Sequence, residues 1–299
     1  MILGNKEGIL VMSDINSERQ KLEKIANKLK VKVIKMIAIS GNGHAGGSMS
    51  IAEIVAVLYF RVLKFNINNA LDEDRDRFIL SKGHASATLY AALSELGFIP
   101  EEDLWTLHHI DSPLQMHPER GMCPGIEMST GALGQGLSAG VGMAIGAKIK
   151  KKDFRSYVLL GDGELMEGQV WEAAMSASKF KLDNLVAVVD YNKFSLTTMT
   201  KDTMPLEPLA AKWESFGWNV IEVDGHNISQ LIYAFEKSLT VKDKPSVIIA
   251  HTIKGHDIPA FAGKAESHSV SFTVSEVEET LKSLGCSNDE IHFTLSKMN

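Results

Sequence analysis

VLLGDGELMEG, residues 158–168, is followed one helix-length later by NLVAVVDYNKF, residues 184–194. Each segment opens as an unbroken apolar run, the pattern of a strand buried on both faces, and stops at a short polar turn. Ser156–Leu160 runs into Gly161-Asp162-Gly163, and a helix is predicted over Glu164–Phe180. Leu185–Val189 ends at Asp190 and Asn192. Strand, helix and strand of these lengths predict a parallel pair whose carboxyl ends lie side by side, the edge where open α/β sheets bind ligands. Backbone N–H groups at the helix start favour an anionic phosphate. Asp162 would repel a bare phosphate, so the pair makes sense with a divalent cation between them. Magnesium commonly bridges carboxylate to phosphate in this way.

The same alternation extends in both directions. Helices are predicted over Asn16–Ser40, Met49–Leu63 and His84–Leu96, with a short strand at Phe78–Leu80. Residues 111–133 hold Pro113, Pro118 and Pro124 and no periodicity, so they read as a long functional loop. Beyond it come a helix over Leu133–Lys150, the two strands above, a helix at Leu206–Phe216 and a strand at Asn219–Val223. A helix at Ser229–Ser238, a strand at Ser246–Ala250, and helices at Val274–Leu284 and Asn288–Lys297 complete the chain. The expected fold is α/β, a parallel sheet with helices on both faces. No linker or repeat divides it, so 1–299 is read as one domain with a helical C-terminal extension.

Composition narrows the function. The 299 residues carry 31 basic and 37 acidic side chains, a formal charge of −6, with 44% apolar content. A core of ordinary size is assured, and disordered or collagen-like classes are excluded. Without a basic stripe, nucleic acid is not an expected partner. Two cysteines, Cys123 and Cys286, cannot form a disulfide framework, which predicts a cytoplasmic protein. The N-terminal residues 1–20 lack a signal-peptide core. The longest weakly polar stretch, Gly131–Ala147, falls short of the ~20 residues of a membrane span. Glycine is uneven: eleven of 24 lie between Gly121 and Gly168, and four more in GNGHAGGS, residues 41–48. Such clusters let backbone approach a ligand closely.

Gly161-Asp162-Gly163, 28 residues and then Asn192 resembles the thiamine-diphosphate motif of transketolases. DRFILSKGHAS (76–86), MHPERGMCPGIEMSTGALGQG (116–136) and HTIKG (251–255) resemble further blocks of that family in the same order. The likeness runs from about residue 35 to about residue 270 and points to the N-terminal, diphosphate-binding half of a transketolase, encoded as a separate subunit. It implies a thiamine-diphosphate-binding fold. It implies thiamine diphosphate and Mg2+ as cofactors, with Ca2+ or Mn2+ able to substitute. Asp162, Asn192 and the carbonyl of Phe194 would hold the metal. Gly161, Gly163, Glu164 and Asn192 would lie at the diphosphate, and Gly131, Ala132 and Leu133 along the thiazolium and pyrimidine. His84 and His268 would face cofactor and substrate, His44 and His117 the sugar hydroxyls, and Glu167 would couple the sites across a subunit interface. The implied reaction moves a two-carbon ketol unit from a ketose, in the family usually a phosphate ester, to an aldose. It would require a C-terminal, pyrimidine-binding partner subunit in a two-plus-two assembly.

Histidine suits the proton transfers of such chemistry near neutral pH. His108, His109, His226 and His292 are expected to be structural or surface residues, the first two in a helical stretch. The chain departs from the family pattern at Ala45, at GALGQG and most at SHSVSF, residues 267–272, where a His-Gly pair usually follows the histidine. That change points to a branched or sulfonated sugar as an alternative substrate. Another thiamine-diphosphate enzyme, of the deoxyxylulose-phosphate synthase or dehydrogenase type, is the nearer rival. A degenerate chain kept only for assembly is a further one. A nicotinamide enzyme is not expected, because no hydrophobic strand precedes Gly134-Gln135-Gly136.

Overall fold

The computed structural model describes residues 6–298, and side chains over 16–298. Helices α1 (Lys6–Ser40), α2 (Ala45–Met49) and α3 (Ala52–Val57) precede strand β1 (Arg77–Leu80). Then come α4 (Ser86–Glu95), α5 (Glu101–Leu104), α6 (Gln135–Lys150), β2 (Ser156–Gly161), α7 (Gly168–Lys179) and β3 (Leu185–Tyr191). A two-stranded hairpin, β4 (Phe194–Ser195) and β5 (Thr198–Met199), leads to α8 (Thr200–Thr203), α9 (Leu209–Ser215) and β6 (Asn219–Asp224). The chain ends with α10 (Ile228–Thr240), β7 (Ser246–His251), α11 (Val274–Ser283) and α12 (Asn288–Lys297).

The main sheet is five-stranded, ordered β1-β2-β3-β7-β6, and every pairing in it is parallel. Alternation along each strand divides two cores. Tyr157, Leu159, Val186, Val188, Ile248 and Ala250 pack with α1, α3, α4, α10 and α11, while Val158, Leu160, Ala187, Val189, Val247 and Ile249 pack with α6, α7 and α9. Both faces are therefore covered, as the continuous apolar strands require. Register places Gly161 beside Asp190 and Asp190 beside Ala250, so the loops leaving β2, β3 and β7 start from one edge. No described helix is long and apolar enough to cross a membrane.

Three expected helices take a different form. Met49–Leu63 is broken at Ser50–Ile51 and ends in a π-helical turn at Leu58–Val62. The break lets Ser50 turn inward, where its Oγ donates to Asp190 Oδ2 at 2.8 Å. The helix after β2 begins as a 3-10 turn, Gly163–Met166, and restarts at Gly168. Glu164 causes this by accepting hydrogen bonds from Gly134 N at 2.8 Å and Gly161 N at 3.0 Å, which tie the turn to its neighbours. His108 and His109 are not helical. His108 has φ of +68° and donates its N–H to Leu114 O at 3.0 Å, closing a turn.

Candidate active site

Loops from the carboxyl ends of β1, β2, β3 and β7 meet the long loop before α6 around an open cavity of about 760 Å³. It is lined by His44, His84, His117, Gly131, Leu133, Gly161, Asp162, Gly163, Glu164, Asn192, Phe194 and His268. Of the residues given a site role from sequence, only Ala132 and Glu167 do not line it. Both are exposed, and Glu167 precedes the first turn of α7. Lys82, Lys254, Ser195 and Leu196 line it as well.

Asp162 is 1% exposed. Its carboxylate accepts from the N–H of Gly163 at 2.8 Å and from the N–H of Lys193, and no described side chain pairs with it as a cation. Burial, and then the nearby charge of Asp190, push its pKa up to about 7. A divalent cation would hold such a group ionised. Asp190 has the opposite situation. It is fully buried but accepts from Lys82 Nζ at 2.5 Å, Ser50 Oγ at 2.8 Å, Thr252 Oγ1 at 2.5 Å and Asn192 Nδ2 at 2.8 Å. Burial raises its pKa, but Lys82 and these donors outweigh that and hold it below the usual range. Asp190 is thus committed to protein donors, and its task is to orient Asn192. With Nδ2 given to Asp190, Asn192 Oδ1 accepts the Phe194 N–H at 3.1 Å and keeps a second lone pair. Glu164 is also committed, to Ser81 Oγ and to the N–H groups of Gly134 and Gly161.

Four histidines crowd the other wall. The His44 ring lies 5.2 Å from those of His84 and His268 and 6.3 Å from His117, centroid to centroid. Burial, reinforced by neighbouring His117, lowers His44 to about 4; burial and Lys254 lower His268 to about 4. Burial also depresses His84 and His117, so the cluster is neutral at pH 7. His44 Nδ1 is buried without a hydrogen-bond partner among the described residues. Gly131, at φ +148°, faces His117 so closely that a Cβ would stand 3.0 Å from its ring. This glycine is a requirement of the wall.

A lone-pair-bearing Asp162, an oriented Asn192 and an orphaned His44 nitrogen fit a metal and a polar ligand bound together. Lys82 and Lys254 escaped the sequence reading, since a lysine beside a motif reads as a solvated charge. Only their 1% and 3% exposure distinguishes them. The SKGH and HTIKG blocks that hold them were the available signal.

A family model described as the thiamine diphosphate binding domain of transketolase matches residues 21–297. The chain belongs to this family. It is 43% identical, over 86% of its length and 94% of the relative's, to the 6-deoxy-6-sulfo-D-fructose transketolase subunit SqwG of Clostridium sp. (strain MSTE9). It is 42% identical, over 91% and 99%, to one of the subunits of the apulose-4-phosphate transketolase of Actinobacillus succinogenes. Among solved structures, transketolase from Leishmania mexicana superposes with a TM-score of 0.84 at 29% identity, covering 93% of this chain and 44% of that one. Transketolase from Campylobacter jejuni gives 0.83 at 29% identity, covering 93% and 46%. This transketolase-family chain therefore spans less than half of those solved transketolases, yet nearly all of the two relatives whose names call them subunits.

Proposed function

We propose that this chain is the diphosphate-binding subunit of a two-subunit transketolase that uses a sulfonated or branched ketose. The observation that carries the reading is the convergence of Asp162, Asn192 and Phe194 with four histidines on one cavity. Asp162, Asn192 Oδ1 and the Phe194 carbonyl would hold Mg2+. Gly161, Gly163 and Lys254 would lie at the diphosphate, Gly131, Ala132 and Leu133 along the ring system, and Glu164 would brace the Gly161 turn. When bound, thiamine diphosphate supplies the electron sink for cleaving the ketose carbon–carbon bond. Neutral His44, His84, His117 and His268 would accept and return protons at the sugar hydroxyls. The names of the two relatives support an unusual sugar, and so does SHSVSF at residues 267–272.

Exposed Glu167 would meet a C-terminal, pyrimidine-binding partner, in an assembly of two copies of each chain. One domain over 1–299 and a cytoplasmic location complete the proposal. The test is ketol transfer by the co-purified pair, offered a sulfonated ketohexose, a branched pentulose phosphate and an unbranched pentulose phosphate. Two-carbon transfer that favours one of the first two, and stops on removal of thiamine diphosphate and magnesium, is expected. Transfer from none of them, or transfer indifferent to the cofactor, overturns the reading.

A further inference from the structure

Beside the turn after β7 lies a second polar cluster, none of whose residues lines the cavity. Glu53 of α3 is 6% exposed and Lys30 of α1 is 4% exposed. Glu53 Oε2 accepts from His226 Nδ1 at 3.1 Å, and Glu53 Oε1 accepts from Lys30 Nζ. Lys30 Nζ also donates to Asp257 Oδ2 at 2.6 Å and lies 3.3 Å from His256 Nδ1. The rings of His226 and His256 stack at 3.6 Å and 13°. On its far side, His226 Nε2 accepts the backbone N–H of Ile253 at 2.9 Å. An amide can only donate, so this contact fixes the tautomer: Nε2 carries the lone pair and Nδ1 the proton given to Glu53.

Glu53, His226 and His256 bring ligand atoms within 4.8 Å of one another, the spacing of a metal site. Two features argue against an ion there. The Lys30 ammonium already occupies the space between Glu53, Asp257 and His256. A metal on His226 Nδ1 would also drive the proton to Nε2, against the Ile253 N–H.

All these contacts end on one short segment. Ile253 is held through its backbone by His226, His256 through its ring, and Asp257 through its carboxylate by Lys30. Gly255, at φ +69°, donates its N–H to Gly46 O at 2.9 Å. Between these anchors, Lys254 enters the cavity, donating to Leu196 O at 2.8 Å with His268 Nδ1 at 3.2 Å. Burial, aided by the charge of Lys82, lowers its pKa to about 8. It makes no salt bridge with any described carboxylate, and burying an unpaired ammonium is costly, so its place in the cavity depends on how firmly its backbone is held.

We propose that Glu53 and His226 are a positioning pair that locks the Ile253–Asp257 turn and so keeps the Lys254 ammonium in the cavity. The proposal rests on the cofactor reading above only in taking a diphosphate as the anion that Lys254 meets. His226→Phe keeps the stacked ring but loses both hydrogen bonds. His226→Gln keeps one donor and one acceptor. Glu53→Gln, which preserves volume, serves as an independent companion and should act in the same direction.

Two readouts on the full-length chain separate the claims. Hydrogen exchange should speed up roughly tenfold across residues 253–257 in His226→Phe, while the β2 and β3 amides stay protected, and His226→Gln should recover most of the protection. Titration with magnesium pyrophosphate should show roughly tenfold weaker binding for His226→Phe, as for loss of one charge-assisted contact. The double variant His226→Phe/Lys254→Gln should bind no more weakly than Lys254→Gln alone, because both changes remove the same contact. Unchanged exchange, tight stoichiometric zinc binding by the unmodified chain, or additive losses in the double variant each overturn the proposal. If the unmodified chain ignores pyrophosphate, the cofactor reading fails, and the exchange data alone then decide whether the lock exists.

Discussion

His84 and His117 both neighbour His44, one from the turn after β1 and the other from the proline-bounded loop before α6. Neither belongs to the Asp162–Asn192 group. His84→Ala or His117→Ala should therefore leave cofactor affinity within a few-fold while turnover falls by roughly 10²–10⁴. Steady-state kinetics of the assembled enzyme, with a cofactor titration beside them, check this, and near-normal turnover in both variants would make the two rings structural. His44 and His268 add a pH signature. Burial holds each at about 4 in the folded chain, whereas in an unfolded chain histidine titrates at ~6.5. Between these values the unfolded state binds more protons, so stability declines as pH falls from about 6.5 toward 4. The denaturation midpoint should drop from pH 7 to pH 5, and the double variant His44→Gln/His268→Gln should show a shallower drop. Parallel curves for the two proteins would contradict the assigned environments.

Helix α6 shows why a glycine-rich segment can be helical. Gly140 lies over β2 so closely that a Cβ would stand 2.4 Å from Val158 Cγ2, whereas a Cβ on Gly146 in the same helix would meet no described atom within 4 Å beyond the backbone of its own turn. The two should respond with opposite sign. Gly140→Val should lift α6 from the sheet and destabilise by about 1–3 kcal/mol. Gly146→Ala should stabilise by about 0.4–1 kcal/mol through helix propensity. Urea denaturation of both variants checks the pair, and equal effects would mean that α6 does not pack through Gly140. At this scale the sequence was most legible where period and punctuation agreed. Apolar runs marked every strand of the main sheet, and α11 and α12 start where their period places them, at Thr273-to-Glu276 and Ser287-to-Glu290 capping boxes. The placement of β7 between β3 and β6 was not legible, because strand order depends on crossovers that no local pattern encodes. The β4–β5 hairpin was missed because two-residue strands carry no period. The break at Ser50 answers to Asp190, 140 residues away. Candidate site residues were visible through spacing and resemblance, but the division between free Asp162 and committed Asp190 needed the hydrogen-bond partners in three dimensions.

Across the whole molecule, the cavity gathers the groups proposed for a diphosphate and a metal beneath an exposed approach. Leu196, a left-handed residue at φ +52° on the cavity wall, is 64% exposed, and Ile253 at the start of the Lys254 turn is 46% exposed. A covering surface there would bury both apolar side chains. The proposed partner would supply it together with the pyrimidine-binding half of the chemistry, and two-fold pairing of both chains would close the assembly. The most direct test is to purify this chain with and without that partner, saturate each preparation with thiamine diphosphate and magnesium, and assay ketol transfer side by side. The account predicts no transfer above background from the isolated chain and full activity once the partner is added; robust transfer by the isolated chain would contradict it.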